Sequence, residues 1–443
     1  MNIDNLMDNI RSFFLEQYKG MNKDSSFISF EPIGTVIDPL DFAADNEDLS
    51  KIKATEQLSI LGDRLSQIDE VYVPNTNRLS SSYETLIASA AFTDAKINAP
   101  DISPYMARFS ESKSSALQKF QEAKKASIQT PEGSYLPVYS TPQNWYDTKG
   151  AFWLEKNFSV TEDKPTPTPS GDPVKKRIPI VWKNKIVIDQ NLVKRISDIS
   201  VKKKLNISPN VLKQITTVNE SVTKPNDNTI LNVKPIFNIK PNITPTTPIA
   251  KPTPTTNINT TRIPIKPLDI KNEPIKLDTI KLFKSKNFLT NVKLADRIKL
   301  TNVLAESETS NPVVTKGFSM SFKYSLIYLN RPWFDTSLFA YSKMWYCLTL
   351  KENFFSNGQN NETNQGLMKC IPTAMILIKD LKIKAAWSDD DKKNAENSMA
   401  LGIFNIEDNN IVQNELSNPG MQVIGWVCDV LPRLPEISDP NFI

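Results

Sequence analysis

The side chains left to do chemistry are three thiols, a scatter of carboxylates and seven indoles, because the 443 residues include no histidine. That absence removes Ser-His-Asp and Cys-His catalysis, every His-containing metal site and the side chain that titrates near neutral pH. Cys347, Cys370 and Cys428 are widely spaced, odd in number and without a CxxC pair. They are expected as buried free thiols in a reducing compartment, not as a disulfide framework or a zinc knot. Two carboxylates could serve a glycosidase, one protonating the leaving group and the other attacking or activating water. Asp335, Asp380 and Asp429 are the candidates, and nothing in their spacing pairs them. Asp389-Asp390-Asp391 offers oxygen ligands for calcium or magnesium but lacks the alternating pattern of a cation loop. Ser388 followed three residues later by Asp391 reads instead as a helix cap. There is no Walker A loop, no G-x-G-x-x-G and no G-x-S-x-G. No catalytic residue, metal or cofactor is assigned, and the balance leans away from an enzyme.

The remaining candidates are for recognition. Trp145-Tyr146 and Phe152-Trp153 flank Gly150; such aromatic knots stack on sugars or bases, or anchor a chain crossing between domains. Arg331 and Trp333 close an aromatic strand, and Phe237 and Ile239 lie in an alternating apolar run far from other aromatics. The candidate interaction residues are therefore Trp145, Tyr146, Trp153, Phe237, Ile239, Arg331 and Trp333.

The elements that must position them differ along the chain. Residues 4–18 carry Leu6, Met7, Ile10, Phe13, Phe14 and Tyr18 near helical spacing, with Asp4, Asp8, Arg11 and Glu16 on the polar face. A docked helix is expected, since a membrane-surface helix would want lysine and arginine there. Helical patterning follows at 48–69, at 80–92 with a serine run and Glu84 as a capping box, and at 103–127 with Ser103 as cap, Pro104 at the first position and Met106, Phe109, Leu117 and Phe120 as a stripe. Phe27 to Phe42 is extended and apolar.

Composition then changes. Sixteen of the 31 prolines fall between Pro165 and Pro274, no glycine occurs between Gly171 and Gly317, and the only aromatic between Trp182 and Phe283 is Phe237. Such a stretch is biased to extended conformation and cannot build a core alone. Leu231 to Ile243 alternates apolar and polar residues, which predicts an arm lying along another surface, with a helix near 189–204 or 209–218 interrupting it. Residues 174–300 carry a net charge of +17, against −9 before and −4 after. This asymmetry points to acidic partners or to the acidic ends of the same chain. Nucleic acid is disfavoured because the arm lacks aromatics for base stacking.

From Phe318 the pattern has period two: Phe318, Met320, Phe322, Tyr324, Leu326 and Tyr328 alternate with mainly polar residues, while Ile327 and Leu329 predict a far end covered on both faces. Further strands are expected at 371–378, 381–387 and 421–431, with Trp333, Trp345, Trp387 and Trp426 as large core or rim residues. The fold class read from these patterns is α+β multidomain: a mainly helical domain over 1–160, a Pro-rich basic extended arm over 161–310 and an antiparallel, sandwich-like β-rich domain over 311–443. The expected role is a non-enzymatic binding or assembly protein, a component or cargo of a larger complex. The alternatives are a histidine-independent carbohydrate-active hydrolase or glycan binder in the C-terminal part, and an effector acting on membranes through the N-terminal helices. The expected partner is a protein. No signal peptide is visible, so synthesis is cytoplasmic, with signal-independent export left open.

Overall fold

A strand that buries one face must alternate, and a strand that buries both need not. Both behaviours occur within one ladder of this protein, seen in a computed structural model that describes residues 6–19, 25–130, 133–160, 178–185, 294–305, 309–314, 317–407 and 409–442. In chain order the main elements are α1 (Leu6–Gln17), β1 (Ser26–Ile37), α2 (Glu47–Gly62), α3 (Leu79–Ser89), α4 (Ser103–Lys125), β2 (Tyr139–Thr141), β3 (Leu154–Val160), β4 (Val181–Asn184), α5 (Leu294–Ala305), β5 (Ser310–Pro312), β6 (Phe318–Asn330), β7 (Cys370–Ala385), α6 (Asp389–Asn397), β8 (Ser398–Leu401), β9 (Phe404–Asn405), β10 (Glu415–Asn418) and β11 (Met421–Val430).

The main sheet is antiparallel and runs β1-β11-β7-β6-β2. β3 pairs the N-terminal half of the outer edge of β6, Phe318 to Tyr324, and β2 pairs its end at Tyr328 to Asn330. β10 likewise continues β11 along β7, from Leu381 to Lys384. The fold is therefore α+β, as the sequence predicts, with each face of this sheet supporting its own core. On one face Ile327, Leu329, Met375, Leu377, Val423 and Trp426 meet α2 to α5 through Leu58, Leu61, Tyr83, Leu86, Phe120 and Ile298. On the other Phe318, Met320, Phe322, Tyr324, Ala374, Ile376 and Ile378 meet α1 through Leu6, Ile10 and Phe14. A second sheet, β5-β4-β8-β9, joins that layer through Trp182, Leu401 and Phe404. Each fully buried large aliphatic or aromatic side chain contributes about 1.5–3 kcal/mol.

The alternation switches at one place. β6 and β7 pair Ser321 with Lys382 and Lys323 with Lys379, so Asp380 and Leu381 together oppose Phe322. Two residues facing one define a bulge, and Asp380 takes the left-handed φ of +52° that such a position needs. The extra residue reverses parity. Even-numbered Ala374, Ile376 and Ile378 face the α1 core before it, and odd-numbered Leu381, Ile383 and Ala385 face the same core after it. The two strands expected at 371–378 and 381–387 are thus one strand of 16 residues.

Several local expectations resolve differently. Ser388 does cap α6, accepting from the Asp391 N–H at 3.0 Å. Ser103 does not cap α4: it lies inside the helix, and its N–H donates to Asp101 Oδ1 at 2.9 Å. The capping box expected from Ser80–Ser82 and Glu84 is replaced by Asp63, whose carboxylate accepts from the Ser80 N–H at 2.7 Å and the Ser80 hydroxyl at 2.9 Å. Met106 of the expected α4 stripe is exposed, whereas Phe109 and Phe120 are buried.

The helical part over 1–160 and the β-rich part over 311–443 share hydrogen bonds: β1 pairs β11 from Ser26–Asp429 to Ile37–Met421, and β3 pairs β6. One sheet thus draws its strands from both. The main sheet has helices on one face, and α1 with a smaller sheet on the other. Most of the arm expected over 161–310, including the suggested helices at 189–204 and 209–218, lies outside the described residues. Its two flanks do not. Trp182 in β4 is fully buried, its indole donating to Asp391 Oδ1 at 2.8 Å, and α5 buries Leu294, Ala295 and Ile298 against α2 and β1.

Candidate functional site

The bulge opens a surface groove of about 600 Å³ on the solvent face of the ladder, lined by Glu155, Ser321, Lys323, Asp380, Lys382, Lys384, Glu415 and the Ser417–Pro419 turn. Its charges are held by one another. Lys323 Nζ lies 3.0 Å from Asp380 Oδ2, and Lys384 Nζ lies 3.2 Å from Glu415 Oε2. Three lysines face three carboxylates, so the groove presents no uncompensated charge to a phosphate or a cation. Asn418 is committed too, its amide donating to Glu407 O at 2.7 Å. Among the residues lining the groove no nucleophile has a base beside it.

The candidate interaction residues divide into three groups. Trp145, Arg331 and Trp333 are core residues, and burial gives them internal partners. Trp145 packs edge-on against Phe42 at 4.9 Å. Trp333 donates to Pro137 O at 3.1 Å. Arg331 donates to Gly62 O at 2.8 Å and to Pro372 O at 2.7 Å, stitching α2 to β7, and burial depresses its pKa to about 10. Tyr146 and Trp153 are half-buried. Tyr146 stacks on Phe42 at 5.2 Å; Trp153 donates to Asp147 O at 2.9 Å and carries the Lys379 ammonium 5.0 Å from its ring centre. Both help anchor the chain where it leaves the helices for β3. Phe237 and Ile239 lie outside the described residues.

The carboxylates of the hydrolase alternative have separate neighbourhoods. Burial works to raise the pKa of Asp335, but hydrogen bonds from Lys119, Ser337 and Ser115 outweigh it and hold the carboxyl at about 2. Asp429 accepts from Tyr18 at 2.8 Å and Ser26 at 2.6 Å, tying α1 and β1 to β11. Asp380 belongs to the bulge. Asp391 of the acidic triplet receives Trp182, Ser388 and the Val314 N–H, which makes it an internal fastener. Among the described residues no group of three or more Cys, Asp or Glu is arranged to hold a metal ion. Cys347, Cys370 and Cys428 are free and buried; burial pushes the first thiol up to about 11, the second to about 12 and the third well above its ordinary value.

Glu31 is among the buried acids that sequence reasoning missed. It is inaccessible, accepts from Trp426 Nε1 at 2.7 Å through Oε1, and has no protein partner at Oε2. Burial raises its pKa to about 8, with the Trp426 hydrogen bond and the Arg64 charge opposing the shift. Tyr72, whose hydroxyl also lacks a protein partner, stacks on Trp426 at 5.2 Å. The signal was present: Glu31 is the lone acid in the apolar run Phe27 to Ile37.

No protein-family model matches the chain, and neither the curated proteins nor the solved structures contain a similar one.

Proposed function

We propose that the protein is a non-enzymatic assembly component, a folded body that holds a long basic segment by both ends and offers it to a protein partner. One observation carries this reading: the flanks of the segment are anchored. On the leading side β4 sits between β5 and β8, with Trp182 buried. On the trailing side Leu294 and Ile298 are buried in the helix-covered core, and Arg297 pairs with Asp41 at 2.5 Å. Between Lys185 and Leu294 run 108 residues carrying 18 Lys/Arg against seven Asp/Glu. A chain fixed at both ends loses less freedom on binding than a free tail, and its charge favours an acidic protein surface. The paired charges of the groove and the internal roles of Asp335, Asp391 and Asp429 favour this over hydrolysis. The burial of Leu6, Met7, Ile10 and Phe14 removes the apolar face that a membrane-acting α1 would need.

The test replaces residues 190–290 with a short Gly/Ser linker. The shortened chain is expected to keep a cooperative thermal transition. In its source cells it should lose the lysine cross-links to another protein that mass spectrometry finds for the full chain. If the full chain cross-links only to itself, or the shortened chain keeps the same partner, the reading fails.

A further inference from the structure

The outward face of α2 carries exposed aliphatic side chains among its charged ones. Leu40 is 76% exposed, Ile52 61% and Leu49 43%. Leu49 and Ile52 share one face at i, i+3 spacing, opposite the buried Ser50, Ala54 and Leu58. The turn bearing Leu40 is tied to the same helix, since Lys53 Nζ donates to Ala43 O at 2.7 Å. Around these side chains the stretch 38–56 holds six carboxylates against two lysines, with Asp45, Glu47 and Asp48 all exposed. Other exposed large apolar residues, such as Met106, Val314 and Val412, lie on separate elements. Glu47 is paired with Lys51 and Asp41 with Arg297, which leaves Asp38, Asp45 and Asp48 as the acidic excess. An apolar patch with a polar rim marks a docking surface.

Chain continuity identifies the occupant. The Leu294 N–H donates to Gln57 Oε1 at 2.9 Å, so the chain joins the body on α2 itself. Gln57 is five residues from Ile52, or about 7.5 Å along a helix. The 15 residues that end at that point, 279–293, contain Ile280, Leu282, Phe283, Phe288, Leu289 and Val292, four lysines and no acid. Fifteen extended residues reach about 50 Å, far more than the distance to be covered. We infer that residues 279–293 dock on the acidic, apolar surface formed by Leu40, Leu49 and Ile52, in the same molecule. Apolar side chains of the segment cover the patch, and Lys281, Lys284 and Lys286 face the carboxylates of 38–56. The tether keeps the effective concentration of the segment high. This docking holds whether or not a partner takes the residues upstream of it.

Limited trypsin digestion of the full chain, followed by mass spectrometry, tests the inference. Cleavage after Lys281, Lys284 and Lys286 is expected to be at least tenfold slower than after Lys202, Lys203 and Lys204. The Leu49→Lys, Ile52→Lys double variant changes only exposed side chains and should keep the thermal midpoint, yet bring the two sets of sites to one rate. Asp45→Lys, Asp48→Lys should raise cleavage less, and chiefly at low salt, where the charge attraction is least screened. Equal rates in the unaltered chain overturn the inference. So does protection that survives the Leu49, Ile52 double variant, or protection that disappears on tenfold dilution, which would place the segment on a second copy.

Discussion

The β6–β7 ladder has two halves that meet at the Asp380 bulge and obey different rules. On one side Leu326, Ile327 and Tyr328 pair with Ile376, Met375 and Ala374, and apolar residues point both ways into two cores. On the other, Phe318, Met320 and Ile383 point into the α1 core while Ser321, Lys382 and Lys384 face the solvent groove. The helices α2 to α5 cover one half of a face and leave the other half bare. The sequence of a strand therefore records how many layers cover it, residue by residue, and the record changes within a single strand.

The largest effect that would break this comparison comes from the core face the halves share. Phe322 is buried among Phe14, Phe158 and Phe404, with ring centres 5.7–6.3 Å away. Phe322→Asp places an unpaired charge there and is expected to abolish cooperative unfolding, read by circular dichroism on heating. A cooperative transition near that of the unaltered chain would mean that the α1 core is not the core of this sheet.

Glu31 tests the helix-covered side. Its folded pKa of about 8 lies above the ordinary carboxylate value of 4.5, so the folded state binds the proton more tightly than the unfolded state. Stability from this group is complete below about 4.5 and is lost as pH rises through 8. Chemical denaturation from pH 5 to 9 should therefore show falling stability, and Glu31→Gln should flatten the fall. A Gln variant with the same slope would assign the pH dependence elsewhere.

Smaller again is the contrast between two serines of β6. Ser325 is buried on the helix-covered side, opposite Leu377; Ser321 faces the groove. Ser325→Asp should cost about 2 kcal/mol and Ser321→Asp within about 0.5 kcal/mol, by urea midpoints. Equal costs would erase the distinction between the halves.

The sequence is legible where structure is local. The alternation from Phe318, the switch at Ile327 and Leu329, the strand from Met421 and the docked α1 all follow from spacing, and the structure has them. Long-range pairing is not written in spacing. Nothing in Phe27 to Ile37 tells that it lies beside residues 421–429, about 400 positions away. Composition also misled at the edges of the basic stretch. Val181–Asn184 and Leu294–Ala305 share its lysines and lack of glycine, yet Trp182 and Ile298 are fully buried. A single tryptophan at its start was the better signal than the average around it. The candidate site was least legible: nothing local marks Arg331 as a core residue, because the groups that compensate its burial are carbonyls of α2 and β7, remote in sequence.

The bulge itself can be tested by separating charge from backbone at Asp380. Its carboxylate makes an ion pair with Lys323, which is 45% exposed, and exposed pairs contribute at most about 1 kcal/mol. Its backbone has φ +52°, a region open to glycine and tolerated by Asn and Asp, but costly for branched side chains. Asp380→Gly removes the charge and relieves the backbone, so the two changes should nearly cancel. Asp380→Asn removes the charge alone and should cost a few tenths of a kcal/mol, about as much as Lys323→Ala. Asp380→Val removes the charge and opposes the left-handed turn, so it should cost about 1 kcal/mol more than Asn. The readout is the urea midpoint at constant slope, since a changed slope would signal a different folded or unfolded ensemble. If Val and Asn are equal, the left-handed residue does not hold the parity switch, and the groove is set by the Lys323 and Glu415 ion pairs instead. If Val is the worst of the three and glycine the best, one backbone angle divides the buried half of the ladder from the open one.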